Sequence, residues 1–469
     1  MEVVVLKLIT EELGEYIATL KYSDLPDEVV LQAKRILLDT LGCIIGAYET
    51  PLGRTFIDSV RGIQGEKKAT MVGDTDKHLW IFAAMANSYL ADLLDYEQTL
   101  TGHESSVVIP AALAAGESCN KTGKDVITAI VSGYEVQSRV GLAIVPSRSR
   151  FKEVASPSVE ICSSFGAGTA AGKLHGFSPG LMNKTLNAAG TLSPLLTMYK
   201  FLDRPASLLK GKYWWCAYAG CFAVHLVQNG LHGPRDILGG EHGYWICCGS
   251  DQCDFDAFTR ELGTQYMIME DSFKPYPSCR WTHPALDAIQ ILILEHELNE
   301  KNIREIRVKS SSVIKDFRLD DPTPASIVDA EFSLPYATAM IVKGVLPGLD
   351  WYTEDNLSLK NGVRELCEKV KIETDPDLDK KYFEEKTERA NPAHVEIETV
   401  NGKVFSHAVT CPRGDPTNPM NDTELEKKFA GLCGRRFSEQ KTQDLIDCVW
   451  NVEQADHISH LMDRVREAY

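Results

Sequence analysis

The sequence predicts a mainly α-helical fold: a large all-helical domain carrying an inserted, smaller α+β lid domain. Three observations predict it. Up to about residue 270, apolar residues recur at helical spacing in segments separated by short polar breaks. Between residues 303 and 409 the period shortens twice to strict alternation, which marks strands. From "PRGDPTNPMNDTELEKKFAGL" (412–432) onward the helical spacing returns. The helical domain is therefore expected from both ends of the chain, residues 1–269 and 411–469, with 270–410 as the lid.

Taken in order, "DLPDEVVLQAKRILLDTLGCIIGAY" (24–48) opens on an Asp-Leu-Pro start signal and continues as a helix. "HLWIFAAMANSYLADLLDY" (78–96) and "SSVVIPAALAAGESC" (105–119) carry little polar surface and suit helices packed on several sides. "SSFGAGTAAGKLHG" (163–176) reads as a small-residue helix that lets neighbouring backbones approach. A phosphate-binding loop is its alternative, but no β-rich run precedes it. In the lid, "IREIRVKSSS" (303–312) reads as a strand and "HVEIETVNGKVFSHAV" (394–409) as a hairpin turning at Asn401-Gly402. "DAEFSLPYATAMIVKG" (329–344) is helical, and the Lys/Glu-rich stretch from Glu354 to Arg389 is expected to be mostly helical and solvated.

Composition excludes several function classes. There are 49 basic against 66 acidic side chains, a net charge of −17, which argues against nucleic acid as a partner. No apolar run is long enough to cross a bilayer, and "MEVVVLKLIT" gives way at once to Glu11, Glu12 and Glu15 rather than continuing as a secretory signal. A soluble, cytoplasmic protein without membrane contact is expected. The 13 cysteines are odd in number and scattered, and no C-x-x-C pair occurs, so reduced thiols are expected, with neither a structural zinc nor a disulfide.

Two stretches carry groups suited to chemistry. In "DYEQTLTGHESS" (95–106), Asp95, Thr99 and His103 are four residues apart, so a continuous helix would line them on one face, with Gly102 marking its end. A histidine there can exchange a proton near neutrality, with an aspartate to hold its tautomer. The plain alternative is a polar helix end facing water. In "SFKPYPSCRWTHP" (272–284), Pro275 and Pro277 stiffen a strap bearing Lys274, Arg280 and His283, cations able to grip a carboxylate. A solvated basic loop or a structural ion pair is the alternative. Cys279 reads as a buried thiol before it reads as a nucleophile. Tyr336 has a hydroxyl for a substrate oxygen or is a core tyrosine. Lys210 and Lys212 precede Trp214 and Trp215, where a lysine lying along the surface is the bland reading.

Together these stretches resemble the MmgE/PrpD family over almost the whole chain. The resemblance rests on "AKRILLDTLGCIIGA", "LADLLDYEQT", "GHESSVVIPAALAAGE", "SFGAGTAAGKLHG", "GLHGPRDILGGEHGY", "FKPYPSCRWTHPALDA", "DAEFSLPYATA" and "PRGDPTNPMND", in this order and spacing. It implies a helical domain with an α+β lid, a homodimer, and a lyase, decarboxylase or dehydratase, acting on a small di- or tricarboxylate without metal or organic cofactor. An epimerase of an iminodisuccinate-type dicarboxylate and a catalytically silent carboxylate-binding member are the alternatives. By resemblance Asp95, Thr99 and His103 match the family's motif, Lys274 and Cys279 fall on its strap, Tyr336 matches a family tyrosine, and Lys210 matches a carboxylate-binding lysine after a one-residue gap. Asp95, His103 and Lys274 are thus expected to be catalytic, and Thr99, Lys210, Cys279 and Tyr336 to bind substrate, together with Arg280 and His283 from the chemistry of the strap itself. The sequence departs from the family pattern at Pro157, where many members place a histidine eight residues before the Phe165 position, and in the bulky "GKYWWCAYAG".

Overall fold

A computed structural model describes residues 8–63, 65–154, 162–193, 211–385, 390–467 and 469. Two of its central helices, Trp80–Asp92 and Ser105–Ser118, are apolar nearly all round, which explains why they are buried rather than laid on a surface. The longest described helix, α1 (Asp27–Tyr48), runs from Pro26 and buries Ile36, Leu37, Leu41 and Ile44. In α2 (Trp80–Asp92) every residue but Phe82 is buried, and α3 (Ser105–Ser118) is buried up to Glu117. The helices α4 (Gly123–Ala143), α5 (Ser163–Leu174) and α6 (Gly211–Gln228) close the bundle around them. Small residues set the spacing. A Cβ at Gly220 of α6 would stand 2.4 Å from the Ser164 carbonyl of α5, so "SFGAG" serves helix packing.

From Tyr276 onward a second hydrophobic cluster forms. It takes in α7 (His283–His296), which starts with Pro284 in its first turn, and continues through β1 (Ile303–Ser310) and α8 (Leu334–Val342). Three further strands, β2 (Val370–Thr374), β3 (Ala393–Thr399) and β4 (Val404–Val409), complete a sheet of order β2-β1-β3-β4. The β1–β2 pair is parallel and the other two are antiparallel. Register sets Ile306 opposite Ile397 and Val308 opposite Val395, an apolar face covered by Leu286, Ile289 and Met340. The hairpin turns through Gly402, whose φ of 80° needs a glycine. Finally α9 (Asp422–Cys433) inserts Leu425, Phe429 and Leu432 into the first cluster beside α1.

The molecule is thus mainly helical with one small sheet of four strands, as well as a two-residue pairing at Ala69–Thr70 and Lys77–His78. One local expectation holds in part and another fails. The described part of the charged stretch after Glu354 carries short helices at Glu354–Leu357, Val363–Glu368, Pro376–Lys380 and Lys381–Glu385, but "VKIET" between them forms β2, an edge strand whose short alternation is hidden in a charge-rich run, with Lys371 and Glu373 pointing to solvent. The segment carrying Asp95, Thr99 and His103 is not helical, because α2 ends at Asp92 and α3 begins only at Ser105. Among the described residues no helix is long and apolar enough to cross a membrane.

Candidate functional site

The loop from 93 to 104 folds on itself. Asp95 takes a left-handed φ of 48°, which aspartate tolerates better than most residues and which turns the chain out of α2. The buried carboxylate of Glu104 then gathers the loop backbone, accepting from the N–H groups of Leu100, Thr101 and Gly102 at 3.0–3.4 Å. Thr99 donates its hydroxyl to the Gly102 carbonyl at 2.6 Å. This folding places His103, two residues ahead of α3, against the end of α2.

There the imidazole meets three carboxylates. Nδ1 is bonded to Glu97 and lies 3.3 Å from Asp92 Oδ1, while Nε2 is 3.6 Å from Asp95 Oδ1. The Tyr213 ring of α6 lies 5.0 Å away, centroid to centroid. The carboxylates are almost fully buried, whereas the His103 side chain keeps 16% exposure, enough to meet a small molecule.

The strap brings the cation. Lys274 is fully buried and donates to Asp95 Oδ1 and to the Asp95 carbonyl, both at 3.0 Å. Thr99 and Ser272 exchange backbone hydrogen bonds of 3.0 and 3.1 Å, which ties strap to loop. Phe273 N donates to the Gly414 carbonyl, and Gly414 must be glycine: its φ is 91°, and a Cβ would stand 2.1 Å from the Phe273 carbonyl. Tyr96 donates to the Pro275 carbonyl at 3.1 Å, and Tyr352 to that of Pro277.

The other residues expected from sequence fall in different settings. His283 is buried, with Nε2 on the Ser278 carbonyl at 3.0 Å and Nδ1 3.2 Å from Arg280 Nη1. Nε2 therefore carries the proton, and Nδ1 accepts from the guanidinium. Burial, and then the charges of Arg280 and Lys274, hold His283 well below the usual imidazole range, so it is neutral and structural in this state. Arg280 also donates to the Arg413 carbonyl at 3.0 Å, and burial lowers it to about 10 against the pull of Asp287 and Asp415, which leaves it charged. Cys279 is buried in a small apolar cluster with Val313, Phe317 and Phe332, and its amide is bonded to the Glu331 carbonyl. Tyr336 is fully buried, its hydroxyl donating to the Trp351 carbonyl. Lys210 and Pro157 lie outside the described residues, as does the side chain of Lys212.

Asp92, Glu97, Tyr213 and Tyr352 are site neighbours that sequence reasoning missed. Glu97 is the clearest case, because helical spacing from His103 excluded it. The signal that could have found it was "TLTG", whose threonines and glycine favour a loop in which acids at 92, 95 and 97 converge. Tyr352 belongs here because its hydroxyl donates to the Pro277 carbonyl of the strap; burial raises its phenol, and the Glu331, Tyr336 and Asp95 side chains add to that.

Asp92, Asp95, Glu97 and His103 bring ligand atoms within 4.8 Å of one another, a donor set able to hold a metal ion. In this arrangement the ammonium of Lys274 is the cation on Asp95. A cavity of about 540 Å³ opens beside the same loop and strap, lined by Thr99, Leu100, Ser272, Arg139 and Asp415 but by neither His103 nor Lys274. The cavity lining holds carboxylates and arginines but no imidazole, whereas the cluster joins an imidazole to carboxylates and an ammonium, which makes the cluster the candidate site.

Fold and site together define a mainly helical protein that joins a buried acid–base cluster to a proline-stiffened cationic strap. The chain belongs to the MmgE/PrpD family: the family's N-terminal domain matches residues 11–255 and its C-terminal domain residues 276–454. It is similar to cis-aconitate decarboxylase from Aspergillus terreus, 24% identical over 97% of this chain and 95% of the relative. The Homo sapiens and Mus musculus proteins of the same name are 25% and 24% identical over 97% of this chain, and over 94% and 93% of their own lengths. These likenesses support a lyase-type enzyme.

Proposed function

We propose that this protein is a lyase that decarboxylates or dehydrates a small di- or tricarboxylate by acid–base chemistry next to a carboxylate. One observation carries the reading: a partly accessible imidazole, bonded to a buried glutamate, shares Asp95 with a buried lysine. Loss of carbon dioxide or water beside a carboxylate builds negative charge on carbon, so the site needs a proton donor or acceptor and a cation aimed at that charge. His103 moves the proton. Glu97, not Asp95 as the sequence suggested, fixes the ring through Nδ1. Asp95 holds Lys274 in place, and Lys274 and Arg280 take the substrate carboxylates.

The relatives' name favours a tricarboxylate of the aconitate type and carbon dioxide as the leaving group. Thr99 and Tyr336 are bound to backbone carbonyls in this state, so they reach substrate only if those bonds exchange. Residues 270–410 act as the lid, the enzyme works as a cytoplasmic homodimer, and Lys274 supplies the positive charge that the chemistry needs. The test is a panel of di- and tricarboxylates incubated with the protein in deuterated water and followed by NMR. Loss of carbon dioxide or water supports the reading; deuterium wash-in without net conversion would make the protein an epimerase, and no change with any acid would leave it a binding protein.

A further inference from the structure

Four parts of the chain meet at one ammonium group. Lys428, on α9, is buried and pairs with Asp39 of α1 at 2.8 Å from Oδ1 and 3.0 Å from Oδ2. The same Nζ donates to the Tyr96 carbonyl at 2.6 Å and to the Lys274 carbonyl at 3.0 Å, and it stands 3.8 Å from the centre of the Tyr96 ring. A lysine has three N–H donors, and these three partners use them all. Tyr96 lies between Asp95 and Glu97 in the loop, and Lys274 is the cation of the strap. Asp39 is itself held by Gln98 of the same loop, whose amide oxygen accepts from Thr40 at 3.0 Å.

We propose that Lys428, paired with Asp39, is a positioning residue that holds the loop and the strap in register and acts on the reaction through His103 and Lys274 without touching substrate. The inference rests on the reading of the loop and strap as the site of chemistry. An apolar side chain could fill the volume of Lys428, but it would leave two buried carbonyls of the site without this donor, and the segments bearing them are neither helix nor strand. Arginine keeps the charge but spreads it over a flat fork, which cannot serve Asp39 and both carbonyls from one point. Removing a single partner would leave a buried charge unbalanced, so the informative variant removes both.

The test compares the wild type with the double variant Asp39→Asn/Lys428→Met and with Lys428→Arg. Turnover is read with the polycarboxylate that the wild type converts, and the His103 nitrogens by NMR of protein labelled with ¹⁵N-histidine. The double variant is expected to keep the wild-type far-UV spectrum, lose about 100-fold in kcat, raise KM as Lys274 shifts from the substrate carboxylate, and move the His103 signals. Lys428→Arg is expected to fold, lose about tenfold in kcat and shift the same signals less. A folded double variant with wild-type kcat and His103 signals would overturn the proposal. If it does not fold, Lys428→Arg decides, and wild-type kcat and signals in that variant overturn the proposal equally. If the wild type converts no polycarboxylate, the functional reading has failed separately, and the His103 signals still decide the role of Lys428.

Discussion

The loop at 93–104 and the strap at 272–284 bring charged groups to the same point but are held there by opposite means. The loop is self-fastened: Glu104 gathers three of its own amides and Thr99 bonds to Gly102 within the same turn. The strap has Pro275 and Pro277 to stiffen it but depends on bonds from elsewhere, from Thr99, Gly414, Tyr96, Tyr352 and Lys428. The turn at 99–104 is thus locally encoded, whereas the first residues of the strap, 273–277, are placed by the rest of the fold, which also holds Tyr96 and Gln98 of the loop. A change within the loop should act near its own position, and a change at the strap should be felt by several elements.

The largest effect is expected where the two halves touch. Lys274→Met leaves Asp95 buried without its ammonium, which should cost about 3–5 kcal/mol of stability in denaturant unfolding and weaken substrate binding as well. A cost below about 1 kcal/mol would mean that the pair is not what joins loop to strap. Next, Glu104→Ala strips the loop of its internal acceptor and should cost about 3 kcal/mol, with amide hydrogen exchange rising at residues 100–102 and not at 273–275. Equal loss of protection in both stretches would break the distinction between them.

The contrast also explains what could be read from sequence. The strap's cations stood out because two prolines interrupt any helix there and the surrounding chain is acidic. The loop is less legible because Asp95, Thr99 and His103 match helical spacing, a pattern that hides Glu97, which the left-handed turn at Asp95 brings to the imidazole. The apolar helices and the alternating strands were legible since burial imposes their periods. Strand β2 was not, because an edge strand buries little and tolerates charge. Lys428 could not be found by any local pattern, since its partners lie on α1, the loop and the strap.

A smaller effect sharpens the comparison through pH. Burial pushes the Asp39 carboxyl up from 3.8 to about 6; Lys428 and Lys274 oppose this, and Glu97 adds to it. With the folded value above the ordinary one, the contribution of this carboxyl to stability is fully present below about 3.8 and is lost as pH rises through about 6. Stability of Asp39→Asn relative to the wild type should therefore improve between pH 4 and 7, by about 3 kcal/mol at most, in urea unfolding at each pH. A difference that stays flat over this range would show that Asp39 ionises normally beside Lys428. The smallest change expected is for Thr99→Val, which removes one hydroxyl bond but keeps the backbone bridge to Ser272: about 1 kcal/mol of stability, with the strap unmoved.

The central claim is that His103, oriented by Glu97 beside the Asp95–Lys274 pair, moves the proton in the reaction of a small polycarboxylate. The most direct measurement is kcat and KM of the wild type and of His103→Gln on the best acid from the deuterated-water panel, with folding of the variant checked by circular dichroism. The variant is expected to bind with a KM close to that of the wild type and to lose about 10²–10⁴-fold in kcat. A folded His103→Gln protein that turns over at the wild-type rate would contradict it.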